Sequence, residues 1–533
     1  MYTLNNPIIR MARAGASKFV EPLYLILSNT SNLLLSLYLF FILLIFFGRN
    51  TFYASQKIFL ISNGILIIIG LLIILFEKKY KKKNKKEYNY DKYVKIMVFI
   101  LFFVQIFLFY NAFFETAWDS GVVSNDARIL ATGSDVYGNN RVYLLYYSVH
   151  PNNVLYTLIV TLVLKINSFI GLFVNQYNLM SMVLVNSIIS SVSSYLVYKI
   201  GKELFSKKIA FFGYLVSVIL LVLSPWNMIS YTDSFGLFIP ILILFLYLNS
   251  KLSLYIKYPL IVLLTYFGYL IKPQTVIIVI AIVIIELIKN IKKFNLIKLE
   301  KLIRILCISI ISLIAVILSL KFIYKKQGFI LDKEKRLGYT HYLMMGTNKE
   351  RNGDWSFYDA DFSIRQETYE IRKKENLRVF KERIKEYGFK GYFELLSKKL
   401  LNAYNDGTFA WGEEGNFFAV IYPDVTLVSS FIKNVYYGNY FGYYGTVMQF
   451  IWINLLLVIF INTIVMVFKK HKIDYLYLIM ILTFIGITLF ELLFEVRARY
   501  LYTNIPIFIL LMMYGINNIN SFKFMKRRKK NEI

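Results

Sequence analysis

Long apolar blocks dominate this sequence, and residues 33–47, 58–76 and 96–113 form the first three. A helix of about 20 apolar residues matches the thickness of a hydrocarbon core, and flanking Tyr, Asn and Ser can complete a slightly short one. A soluble chain of 533 residues would instead divide into domains with polar surfaces. Here 57% of the residues are hydrophobic and fall in blocks. The fold class expected is therefore an all-α polytopic membrane protein.

The formal net charge is +29, yet the Lys and Arg sit in short runs between the blocks: 78–86, 199–208, 289–304, 469–472 and 523–530. Placing all of these runs in the cytoplasm satisfies the positive-inside rule, and anionic membrane lipid balances the charge. A nucleic-acid partner is not expected, because no soluble face displays a basic groove. The spans between basic runs must then come in even numbers. About twelve satisfy this, at roughly 31–48, 58–76, 95–113, 179–199, 209–225, 234–249, 257–271, 274–289, 303–322, 446–468, 475–493 and 501–517. Both termini lie on the cytoplasmic side of a plasma membrane in this scheme. The stretch 154–166, about thirteen residues, is short for a crossing and would put the 199–208 run outside. It reads as an in-plane or re-entrant helix on the outer surface.

Four regions follow. Residues 1–94 hold an amphipathic segment and two leading spans, and 95–324 a transmembrane core with a first outer loop at 114–153. Residues 325–444 form an extracytoplasmic, mostly helical insert, and 445–533 the last spans and a basic tail. No cleavable signal peptide is expected, since Arg10, Arg13, Lys18 and Glu21 interrupt the first thirty residues. The single cysteine, Cys307, excludes an internal disulfide and a thiolate metal cluster.

Chemistry-bearing groups gather at the outer ends of the spans. Trp118-Asp119-Ser120-Gly121 and Asp126-Ala127-Arg128 follow the third span, and Tyr146–Asn153 (YYSVHPNN) leads the in-plane helix. A carboxyl at a span end loses solvation, which raises its pKa unless it is paired and suits it to act as a general base; capping a helix is the plainer role. Tyr231-Thr232-Asp233-Ser234 occupies a short outer turn, so that Asp119 and Asp233 share one face. Together they offer the donors for a base plus a divalent metal ligand, although nothing in the sequence demands a metal. Lys272-Pro273 breaks a helix at a depth where Lys is disfavoured, which makes Lys272 a candidate phosphate partner or a snorkelling side chain. Glu495-Val496-Arg497-Ala498-Arg499-Tyr500 puts two arginines on the same face, suited to phosphate or to a clamp with Glu491 or Glu495. Ionisable residues are nearly absent at mid-depth, unlike the pattern of proton-coupled transporters.

The order of these elements resembles the GT-C superfamily of membrane glycosyltransferases. It looks closest to family-39-like members of Gram-positive cell envelopes, related to protein O-mannosyltransferases and lipid A aminoarabinose transferases. The likeness runs from about residue 102 to 516. It implies a GT-C-like bundle and a monosaccharide donor linked to polyprenyl phosphate. The sugar passes to a cell-envelope acceptor (polysaccharide, teichoic acid, lipid or protein) outside the cytoplasm, by inverting displacement. It further implies Asp119 as the base, with Asp126 or Asp233 as a second carboxylate. Lys272, Arg497, Arg499 and Tyr500 would lie at the donor phosphate, and His150 and Asn152 would position the loop. Two leading spans and the lack of a second acid adjacent to Asp119 depart from the family pattern. A lipid-linked sugar flippase or exporter and a polysaccharide polymerase are the alternatives.

Overall fold

The structure is a computed structural model that describes residues 22, 24–39, 88–133, 141–171, 179–291, 296–468 and 474–531. The expected span at 58–76, the basic runs 78–86 and 469–472 and the segment before residue 22 lie outside the described residues. Nearly all of what is described is helix. Eight helices are long and apolar enough to cross a membrane, among them Tyr90–Ala112, Met180–Leu204, Leu254–Ile271, Phe441–Phe468 and Tyr475–Leu493. Thr232–Leu248 is a shorter apolar run. The chain is thus an integral, multi-pass membrane protein. Among the described residues the strands are confined to a small antiparallel ladder, in which Phe114–Thr116 pairs with Phe418–Ile421.

Polar contacts fix how the helices run. Near the start of Tyr90–Ala112, Asp91 accepts from Lys202 at 2.5 Å and from Tyr198 at 3.1 Å, and it faces Lys207 at 3.3 Å. Further along, Gln105 accepts from Ser190 and donates to Ser191, each at 2.8 Å. Tyr90–Ala112 and Met180–Leu204 are therefore antiparallel, and Ala112 and Met180 share an end of the bundle. Fully buried amide and hydroxyl groups in an apolar interior must find such partners, because each unpaired group costs of order 1–3 kcal/mol.

The apolar segment expected to stay on one face spans Asn153–Ile170, which is 18 residues and not thirteen. Lys165, Asn167 and Ser168 break its hydropathy but not its helix, which stops only at Gly171 in the left-handed region. Its length alone would allow a crossing. Its start lies at the Ala112 end, where Asn153 stands beside Tyr231, and Met180 opens the next helix at that end.

The insert contains the helices Tyr339–Met345, Phe357–Ile364 and Tyr369–Tyr404, the last kinked at Gly388. Helical charge patterning made the third legible in advance. Buried Arg372 ties the insert together by donating to the carbonyls of Ser363, Glu334, Arg336 and Gln366. Buried Lys399 docks it on the bundle by donating to the carbonyls of Gly346, Leu492 and Phe494 at 2.6–2.9 Å. The aromatic section after Asp406 packs back onto the Ala112 end. Trp226 Nε1 donates to the Thr408 and Phe409 carbonyls, and Tyr437 donates to the Ala112 carbonyl. At Gly407 an added Cβ would lie 2.6 Å from Gln449 Cα and from the Met448 carbonyl oxygen, both backbone. Gly407→Ala is therefore expected to cost about 1–3 kcal/mol through overpacking, read as a lowered thermal midpoint in detergent. An unchanged midpoint would mean that this turn is not packed against Phe441–Phe468.

Candidate functional site

The helix Asp119–Ala131 begins three residues after the ladder, and Gly121 permits that tight start: a Cβ there would meet the Thr116 carbonyl oxygen at 2.5 Å. Asp119, half-buried at the helix N-terminus, accepts from the Tyr231 hydroxyl at 3.2 Å. Tyr231 also reaches Asn153 Oδ1 at 3.5 Å, and Asn153 donates to the Tyr146 hydroxyl at 2.6 Å. The turn 224–231 that presents Tyr231 is held by Asn186, which donates to the Asn227 and Ile229 carbonyls. Burial keeps the His150 pKa below its ordinary value, against the pull of nearby Asp119 and Glu495. The first insert helix joins the group through Tyr342, whose hydroxyl is pushed up by burial and by Glu495 and Asp119.

A cluster of cations adjoins this acid. The Arg499 guanidinium lies over the Trp118 ring at 4.7 Å and over Tyr231 at 6.0 Å. Lys272 lies over the Tyr500 ring at 4.8 Å and is ion-paired with Asp233. Arg497 is held by Glu414 at 2.5 Å, by Glu495 at 2.6 Å and by Asp354 at 3.4 Å, while its backbone N–H donates to Glu491 at 3.1 Å. Arg499 Nε approaches Glu414 at 3.1 Å but makes no aligned hydrogen bond. Burial alone would raise the Glu414 pKa, yet Arg499 and Arg497 outweigh it and hold the carboxyl below its usual range.

The segments singled out in the sequence therefore meet at one end of the bundle, with the residues sorted differently. Asp119, Tyr231, Arg499, Tyr500, Lys272 and His150 converge. Asp126 does not join Asp119: it lies two turns along the helix, roughly 10 Å at 1.5 Å per residue. Burial raises its pKa to about 6, moderated by Tyr147. Asp233 is engaged by Lys272, which leaves it no shared role with Asp119. Asn152 donates to Asn153 at 3.1 Å, and it is Asn153 that reaches Tyr146 and Tyr231. Arg497 is the clamp that pairing with Glu495 foreshadowed.

Residues 18–519 match the model of a family described as a conserved hypothetical integral membrane protein. The chain belongs to that family. No curated protein and no solved structure matches it. The matched stretch takes in the ladder, the insert and every residue of the cluster, so the family's shared region contains the whole site.

Two contributors were not foreseen, Glu414 and Tyr342, both from the insert. The paired acids between Gly412 and Gly415 were the available signal for the first; Tyr342 has none, being one of 43 tyrosines. Among the described residues no group of three or more His, Cys, Asp or Glu is arranged to hold a metal ion. A cavity of about 730 Å³ opens elsewhere, on the insert between Asn348, Tyr358, Asp359, Arg383, Tyr387 and Lys398. Its acids and bases are largely paired at the surface. The buried, incompletely satisfied charges mark the Asp119–Arg499 region as the site instead.

Proposed function

We propose that this chain is a GT-C-like glycosyltransferase that moves a monosaccharide from a polyprenyl-phosphate donor to a cell-envelope acceptor. The observation that carries the reading is the juxtaposition of half-buried Asp119 with buried Arg499, through Trp118 and Tyr231. A carboxylate able to take a proton stands beside a cation able to hold a leaving anion, which is what displacement at a sugar phosphate requires.

In this mechanism Asp119 accepts the proton of an acceptor hydroxyl as that oxygen attacks the anomeric carbon. The bond from the anomeric carbon to the lipid phosphate oxygen breaks, and the configuration inverts. The departing phosphate carries its bonding pair to the arginine side of the site, where Arg499 offers a planar fork of donors and Lys272 a point charge. Tyr231 donates to Asp119 and fixes its rotamer, while the insert covers the site through Tyr342. No acid is needed for a phosphate leaving group.

The topology of that class fits the helices at hand. Seven of the eight long helices, Thr232–Leu248, the 207–222 run, Ile277–Ile291 and helical residues 24–39 make eleven crossings. In this reading Asn153–Ile170 stays on one face, and the sequence offers 58–76 as a further apolar stretch of spanning length. Lys202 and Lys207 flank Asp91 at the opposite end of Tyr90–Ala112 from the site, which under the positive-inside rule supports an extracytoplasmic site.

Mass spectrometry of envelope glycans from a strain lacking the chain, set against its parent, tests the function. Loss of one sugar substituent with its lipid-linked donor still displayed outside is the expected result. Build-up of that donor on the cytoplasmic leaflet would replace the transferase by a flippase.

A further inference from the structure

The Glu414 side chain stands where an anion bound to the arginines would stand. It is 13% exposed and touches both guanidinium groups, at 2.5 Å for Arg497 and 3.1 Å for Arg499. The two arginines depend on it unequally. Arg497 retains Glu495 and Asp354 if Glu414 leaves. Arg499 has Glu414 as its one carboxylate partner among the described residues, and its buried Nε lacks an aligned hydrogen bond there. A phosphate presents the same pair of oxygens to an arginine fork as a carboxylate does, with more charge.

The segment carrying Glu414 follows a strained turn. Phe409 and Ala410 adopt φ values of 57° and 62°, a left-handed conformation that non-glycine residues avoid. Asp406 holds this turn by accepting from the backbone N–H groups of Thr408 and Ala410, and Trp226 holds it from the other side. Beyond that fixed turn, Glu413 and Glu414 lie between Gly412 and Gly415 in a single wide π-type turn. Strain of this kind collects at switch regions. The Glu414 backbone N–H is tied to the Ala410 carbonyl at 2.8 Å, so a change of side-chain rotamer would withdraw the carboxylate while the turn stayed in place.

We infer that Glu414 is a resident counter-anion of the donor site, which holds Arg499 while the site is empty and gives way to the donor's phosphate. This rests on the phosphate role proposed for Arg499. It makes Glu414 a positioning residue whose presence weakens donor binding in proportion to the fraction of time it occupies the site.

Polyprenyl phosphate without sugar, titrated onto the full-length protein in nanodiscs, gives the test. Glu414→Gln is expected to bind it more tightly, by on the order of tenfold if Glu414 is in place nine-tenths of the time, and Arg499→Ala to bind it more weakly than the parent. Equal or weaker binding by Glu414→Gln, with Arg499→Ala still impaired, would overturn the counter-anion and leave the phosphate site standing. Parental binding by Arg499→Ala would remove the phosphate site itself, and this inference with it. Should Glu414→Gln fail to fold, Glu414→Asp withdraws the carboxylate by one methylene. Tighter binding by that variant supports the exchange, and unchanged or weaker binding refutes it.

Discussion

Asp119→Asn is expected to lower sugar transfer by about 10²–10⁴-fold, the range a positioned general base supplies, and to leave the protein inserted and folded. Asparagine is nearly isosteric and can still accept from the Tyr231 hydroxyl through its carbonyl oxygen, so the contact at 3.2 Å survives. What is lost is the ability to take a proton. Because Asp119 is half-buried at a helix start and not deep in the core, its charge is not needed to hold the bundle together. Transfer from a verified polyprenyl-phosphate donor, followed as release of the lipid phosphate, reads the effect. Full activity in this variant would dismiss Asp119 as the base.

The two arginines should separate binding from folding. Arg499→Ala removes a group aimed at the leaving phosphate and is expected to cost about 10²–10³-fold in kcat, as removal of a charge-stabilising donor does. The protein should remain folded, because among the described residues Arg499 is committed to one carboxylate, Glu414, and to the faces of Trp118, Tyr231 and Tyr500. Arg497→Ala leaves Glu414, Glu495 and Asp354 facing one another without their shared cation. Breaking such a buried network costs about 3–5 kcal/mol, so this variant should be recovered poorly from membranes. Thermal midpoints and donor turnover measured on both variants check the division. A stable but inactive Arg497→Ala would exchange the roles assigned to the pair.

Helical periodicity and block length made the spans readable from sequence, because hydrocarbon thickness sets both. Block length made 154–166 look too short for a crossing, but the helix there runs on through Asn167 and Ser168 to 18 residues, long enough to span. The clustering of Asp119, Lys272 and Arg499 was legible because turns at one bundle end must lie near each other. Which carboxylate serves which cation was not. Asp233 and Asp119 look alike in sequence as acids beginning apolar helices, and only the packing of Lys272 over Tyr500 commits Asp233 to an ion pair. Glu414 lies 83 residues before Arg497, in a segment of unremarkable polarity. No local pattern encodes such a contact; it depends on Trp226, which binds the turn before it from another helix end.

The short ladder between Phe114–Thr116 and Phe418–Ile421 has a consequence for how this family can diversify. Asp119 lies three residues beyond one strand and Glu414 four residues before the other. The hydrogen bonds between them register the first outer loop directly to the last third of the insert. An acceptor-facing region joined only at its two ends could be traded between relatives as a cassette. This one is stitched to the loop that bears the acid, so chimeras cut at 325 and 444 would drag Asp119 out of place. Recombination that preserves function must carry residues 114–119 along with 414–421.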